Sequence, residues 1–232
     1  MCGRFVVAGE HRDLLGLFEI EIEGNDLPEP SWNVRPTDRV PIVVESLADG
    51  GMPTRRLEGA RWSLVPSFSD SLKLPYPTFN ARSETVAEKR VFAPSVVARR
   101  AILPASGYYE WKTVGTVKTP HYISAPSGPL AFAGLYAWWR DRSRADDDPA
   151  RWVLTATILT TAATGALADI HDRTPVVLDR ELWDDWLDPT IVGDQPFVDG
   201  VVEASADTLD ELEIRRIAPL GSGNDPSLIN PL

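Results

Sequence analysis

The sequence predicts an α+β fold: one domain with a mainly antiparallel, barrel-like β core and short flanking helices. Three observations predict it. Short apolar, β-branched and aromatic runs recur between turn residues, and 20 Pro and 16 Gly in 232 residues leave little room for long helices. A 43% hydrophobic content with eight Trp, seven Phe and five Tyr supplies a packed core. No internal repeat and no dividing linker is visible, so residues 1–232 read as a single domain with its core over about residues 1–220.

The elements follow in order. Gly3–Ala8 reads as a strand that anchors the N-terminus, and Arg12–Phe18 as a short helix. Pro28–Pro36 reads as an irregular loop around Trp32 and Asn33. Val40–Ser46 and Thr54–Trp62 read as a hairpin across Ala48-Asp49-Gly50-Gly51. Val65–Pro77 is a long loop with three prolines. Glu84–Arg99 reads as a helix with Val86, Val91 and Val97 inward, Ser83 as N-cap and a kink at Pro94. Strands are expected at Arg100–Pro104, Gly107–Lys112, His121–Ser124, Leu130–Trp138 and Trp152–Thr160. Ala163–Ala168 and Arg180–Leu187 read as helices, Pro175–Leu178 as a strand, and Arg140–Pro149 as a charged loop. The tail ends in a Gly/Pro/Asn-rich stretch.

Composition narrows the function classes. No apolar run approaches the ~18 residues of a membrane span, and no secretory signal is visible. One cysteine excludes an intramolecular disulfide framework and fits a reducing cytoplasm. The net charge of −11 argues against a general nucleic-acid binder. Its distribution matters more: residues 1–120 carry 15 Lys and Arg against 15 Asp and Glu, and residues 121–232 carry 8 against 19. A local positive groove in the first half is compatible with that split. No zinc-type ligand spacing, Gly-rich phosphate loop or dinucleotide fingerprint occurs, so no metal or cofactor is expected.

The chemistry concentrates in four polar clusters. The first is Cys2-Gly3-Arg4, directly after the initiator methionine. With Met1 removed, Cys2 presents an α-amine and a thiol two carbons apart. An aldehyde forms a Schiff base with the amine, and the thiol adds to the same carbon to close a thiazolidine ring. Unperturbed, both groups titrate at about 8–8.5, so both are partly reactive near neutrality. The bland alternative is a small buried hydrophobe. The second cluster is Asn80-Ala81-Arg82-Ser83-Glu84-Thr85, whose alternation puts Asn80 and Arg82 on one side of an extended segment; a helix cap is the alternative for Asn80. The third is Glu110 between Tyr109 and Trp111, where desolvation raises a carboxyl pKa and suits a general acid or base, unless the residue faces solvent. The fourth is Asp169–Pro175 around His171, which alone reads as a structural histidine as readily as a functional one. Arg4, Arg82 and Arg173 are candidates for phosphate contacts.

Five motifs in order resemble a known family: Met1-Cys2-Gly3-Arg4-Phe5, Trp32-Asn33-Val34-Arg35-Pro36-Thr37, Asn80–Thr85, Glu110-Trp111-Lys112 and His171-Asp172-Arg173-Thr174-Pro175. Together they make the chain similar to the SOS-response-associated peptidase (SRAP) family of abasic-site processing proteins. The resemblance implies a covalent bond from Cys2 to the ring-opened sugar of abasic sites in single-stranded DNA. It implies that Asn80 orients the sugar, Glu110 moves protons, and His171 contacts the sugar oxygen or 3′-phosphate side. It further implies that Arg4, Arg82 and Arg173 hold phosphates, with Thr160 near the lesion and Trp111 and Pro36 lining the cleft. Arg4, Arg35, Arg82 and Arg173 are expected to border a narrow basic channel, with the acidic half facing away. The family often carries a paired aromatic wedge after the position of Trp62; here Pro66-Ser67-Phe68-Ser69 leaves Phe68 alone. A DNA-trapping monomer is the leading expectation, with a lyase or reversal step attached. A Cys-type N-terminal hydrolase, with Asn80 as oxyanion donor, and a noncatalytic binding module are the competing ones.

Overall fold

The strands follow from β-branched and aromatic runs that bury one or both faces. In a computed structural model, which describes residues 2–47 and 51–232, they are β1 (Arg4–Val7), β2 (Ile22–Glu23), β3 (Ser31–Val34), β4 (Arg39–Leu47), β5 (Pro53–Trp62), β6 (Asn80–Arg82) and β7 (Arg100–Ala105). After these come β8 (Gly107–Val114), β9 (Val117–Ser124), β10 (Leu130–Arg140), β11 (Trp152–Ala162), β12 (Arg173–Pro175) and β13 (Glu213–Arg216). The helices are short: α1 (His11–Leu17), α2 (Ala93–Ala98), α3 (Gly165–Ala168), α4 (Trp183–Leu187), α5 (Gln195–Ala204) and α6 (Ala206–Asp210).

The expected barrel is present. β11, β10, β7, β4 and β5 pair antiparallel in sequence, and a parallel pairing of β5 with β11, at Thr155 opposite Arg61 and Ala156 opposite Trp62, closes the ring. Closure removes two sheet edges that would otherwise stay open. β6 and β12 extend β11, and β2 extends β5. A second sheet runs β13-β9-β8-β1-β3. Phe5, Trp62, Tyr108, Phe132 and Cys2 are all nearly inaccessible in one core cluster between the two sheets. Phe5 meets Trp62 edge-on at 4.8 Å, and Trp62 donates its indole N–H to the Phe79 carbonyl at 2.8 Å. That bond fixes the chain entering β6.

Several expectations change. Ser31–Val34 is a strand within the segment read as loop; among the described residues it is an edge strand paired only with β1, so its pattern is half polar. Glu84–Arg99 is not one helix. It is a single 3-10 turn at Ser83–Thr85, further turns, and then α2. Pro94 lies in the first turn of α2, where its missing N–H costs nothing, and so starts a helix instead of kinking one. Arg82, not Ser83, precedes the turn, and no side chain caps it. Val86 is buried as expected, whereas Val97 is exposed. The strand expected at Pro175–Leu178 is instead Arg173–Pro175, sharing only Pro175, and Val177 makes an isolated bridge to Phe132. The β4–β5 pairing runs from Arg39–Arg61 to Leu47–Pro53; Ala48, Asp49 and Gly50 of its expected turn lie outside the described residues. The tail contributes β13, which pairs with β9; Asn224 then bonds to β3, and the last residues return to the end of β13.

No helix among the described residues is long and apolar enough to cross a membrane. No group of three or more His, Cys, Asp or Glu among them is placed to hold a metal ion.

Candidate active site

The site is built where β1, β6, β8 and the turn before β12 converge. Register positions it. Arg4 lies opposite Tyr109 and Phe5 opposite Tyr108, so Phe5, Tyr108 and Glu110 share the inward face while Arg4, Tyr109 and Trp111 share the outer one. Cys2 lies two residues before the start of β1 and is fully buried.

Asn80 joins β6 to the N-terminus. Its Nδ2 donates to the Cys2 carbonyl at 2.7 Å. Its Oδ1 is buried and has no partner among the described residues, which leaves an acceptor available to a ligand hydroxyl. The Cys2 thiol points back to the Arg4 carbonyl, Sγ to O 3.6 Å. Burial pushes this thiol well up, and the Glu110 charge adds to the effect.

Glu110 is 3% exposed despite its charge. Its inward side of β8 settles the alternative of a solvent-facing carboxylate. Burial raises its pKa, and nearby positive charge, His171 included, works against the rise. Tyr108 sits on the same face with its hydroxyl 2.9 Å from Thr174 Oγ1, and burial raises its pKa as well. The contact ties β8 to β12.

His171 is half-buried in the turn before β12. Its Nδ1 lies 3.0 Å from the Arg173 backbone N and 2.7 Å from Asp172 Oδ1. One ring nitrogen cannot serve both at once. The neutral ring accepts from the Arg173 N–H; a ring protonated at Nδ1 donates to Asp172. The turn thus offers a partner for either state.

The arginines divide into two groups. Arg4 and Arg35 are neighbours: burial lowers the Arg4 pKa first, and the Arg35 charge lowers it further. Arg4 donates to Asn33 Oδ1 at 3.5 Å and stands 5.9 Å from the Trp111 ring centroid. Asn33 and Arg35 are in turn held by the tail: Asn33 Nδ2 donates to the Gly223 carbonyl at 2.6 Å, and Arg35 Nη2 to the Ser222 carbonyl at 3.3 Å. Pro36 follows Arg35 in the turn to β4 and is half-buried. Arg82 is exposed at the end of β6. Arg173 is not free. It makes a two-pronged contact with Glu84, 2.5 and 2.9 Å, and donates to the Thr160 carbonyl at 2.5 Å. That contact holds the Glu84 carboxyl below its usual range. A phosphate at Arg173 must compete with Glu84.

Thr160 is fully buried, with its hydroxyl 3.4 Å from the Ala81 carbonyl; it supports β6 and Arg173 from behind. Phe68 lies outside this convergence. It is 42% exposed, with the Arg90 guanidinium 4.3 Å from its ring centroid.

The model of the family described as "SOS response associated peptidase (SRAP)" matches residues 1–219. The chain belongs to the SRAP family. Among relatives, the abasic site processing protein YoqW of Bacillus subtilis is 34% identical over 99% of both chains. YedK of Escherichia coli, named likewise, is 35% identical over 83% of this chain and 82% of its own. HMCES of Xenopus tropicalis, also an abasic site processing protein by name, is 29% identical over 71% of this chain and 55% of its own. Solved structures share the fold: a protein from Bacteroides thetaiotaomicron superposes with a TM-score of 0.76 at 22% identity over 100% of both chains.

Sequence reasoning missed the supports. Asn33 was visible only as part of a motif, and its place between Arg4 and the tail had no local signal. Ser222 and Gly223 sit in a Gly-rich stretch that reads as a loose end. Tyr108 and Thr174 meet across 66 residues of chain.

Proposed function

We propose that this protein processes abasic sites in DNA by trapping them covalently in single strands through Cys2 after removal of Met1. The observation that carries the reading is the buried Cys2, held by Asn80 at 2.7 Å beside a buried carboxyl. The opened deoxyribose presents an aldehyde. The Cys2 amine attacks it, water leaves, and an imine forms. The thiol then adds to the imine carbon, its proton moves to the nitrogen, and the thiazolidine closes. One water is released for each adduct.

Each neighbour has a task consistent with its place. Glu110, whose pKa burial raises, donates a proton to the departing water and takes one from the thiol, whose own raised pKa calls for a base. Asn80 accepts a sugar hydroxyl at its unfilled Oδ1. His171, with a partner in either protonation state, moves a proton at the sugar oxygen during opening or reversal. Arg4, Arg35 and Arg82 meet the phosphates, and Trp111 and Pro36 border the strand. Single-stranded DNA is favoured because a lesion must leave the stack to reach a buried residue.

The test is incubation of the full chain with an abasic single-stranded oligonucleotide. A band stable on a denaturing gel should form, and Cys2→Ala should abolish it. A wild-type protein lacking Met1 that forms no such band would refute the reading.

A further inference from the structure

Beside β6, a cavity shares Asn80 and Arg82 with the chemistry above, while its other lining residues take no part in it. It has a volume of ≈ 370 Å³ and opens between the segments 76–82 and 85–92. Its apolar floor comes from Ala81, Val91 and Phe92, the less exposed apolar lining residues, and Tyr76 stands at its edge, 49% exposed. Arg82, Lys89 and Arg90 form its rim and are all exposed. None of the three makes an ion pair among the described residues. Two carboxylates belong to the same segment: Glu84, which is engaged by Arg173, and exposed Glu88. The rim therefore stays net positive in a chain of net charge −11. Another polar cavity carries the opposite sign, with Glu19, Glu21, Glu45, Asp184, Asp185 and Asp188 around Arg55.

An apolar floor with an open aromatic edge suits a flat uncharged ring. A cationic rim suits the phosphates on either side of it. Asn80 lines this cavity and also holds Cys2, so a strand fixed at Cys2 borders it directly. We infer that the cavity takes one unstacked nucleobase of the strand that carries the abasic site, stacked on Tyr76, with its phosphates on Lys89 and Arg90. This rests on the proposed function and adds to it a subsite that ranks flanking sequence by stacking.

The experiment places 2-aminopurine at successive positions on either side of the abasic site and reads its fluorescence on binding to the full chain. Quenching should concentrate at one or two positions on one side of the lesion. Tyr76→Ala, an exposed change, should remove that quenching and weaken binding roughly 5- to 150-fold, while the Cys2-dependent adduct still forms at saturating DNA. Lys89→Gln with Arg90→Gln should reduce the slope of log affinity against log salt by about 1.4. Normal adduct formation with the same quenching and affinity in Tyr76→Ala would overturn the base site alone. A wild-type chain that forms no adduct and binds no abasic strand would overturn the proposed function, and the base site with it.

Discussion

Asn80→Ala removes the side-chain hydrogen bond that Nδ2 donates to the Cys2 carbonyl. The acceptor is the carbonyl of a fully buried residue, so no water replaces the lost donor. Leaving such an acceptor unpaired costs about 1–3 kcal/mol. At about 1.4 kcal/mol per factor of ten, that is roughly 5- to 150-fold in the population of correctly placed Cys2, and so in trapping rate. The substitution also deletes the unfilled Oδ1 offered to the sugar, which acts in the same direction. Single-turnover trapping, with protein in excess over abasic single strand and aliquots quenched in denaturant, measures the rate. Asn80→Asp keeps the shape but cannot donate, and should be at least as slow. The melting temperature should fall by about 2–4 °C per kcal/mol lost. Asn80→Ala that melts lower yet traps at the wild-type rate would make the bond purely structural and refute the reasoning.

Other substitutions probe the surrounding shell. Glu110→Gln should slow trapping and shift Cys2 alkylation by iodoacetamide to lower pH, because the carboxylate charge raises the thiol pKa. The same variant has a stability signature. A carboxyl whose pKa is raised by burial destabilises the fold as pH climbs through that raised value, so Glu110→Gln should melt above wild type at pH 8 and level with it at pH 4. Arg100 is 1% exposed and donates to the carbonyls of Val96, Val97, Trp186, Asp188 and Ile191; Arg100→Met should cost about 3–5 kcal/mol by calorimetry, with trapping per folded molecule unchanged. Asn224 accepts from the Trp32 N–H at 2.7 Å and from Ser31 Oγ at 3.2 Å, so Asn224→Ala should loosen the tail that holds Asn33 and Arg35. Affinity for single-stranded DNA, read by anisotropy, should fall roughly fivefold, the effect of about 1 kcal/mol.

The barrel strands were legible because alternation and β-branched runs report burial directly. Val40–Ser46 and Thr54–Trp62 lie within β4 and β5, and Trp152–Thr160 within β11. Closure was not legible, since the Thr155–Arg61 pairing joins residues far apart in sequence. β3 was missed because an edge strand with Ser31 and Trp32 half in solvent and a polar Asn33 has a loop-like composition. The false helix over Glu84–Arg99 came from valines spaced five and six apart, which suits neither helix period well, and Pro94 marked the start of α2. At the site, residue types announced Cys2, Asn80, Glu110 and His171. What they could not announce was pairing. Arg173 offers the same guanidinium as Arg4, yet it is clamped by Glu84. The tail reads as disposable from composition, and its carbonyls turn out to hold Asn33 and Arg35.

The central claim concerns two atoms of one residue, the amine and the thiol of Cys2. Intact-mass analysis of the isolated adduct, followed by peptide mapping, tests both together. The account predicts a protein lacking Met1, joined to the oligonucleotide with loss of one water, and the modification on the N-terminal peptide at Cys2. An adduct that retains Met1, or that maps to a lysine, would contradict it.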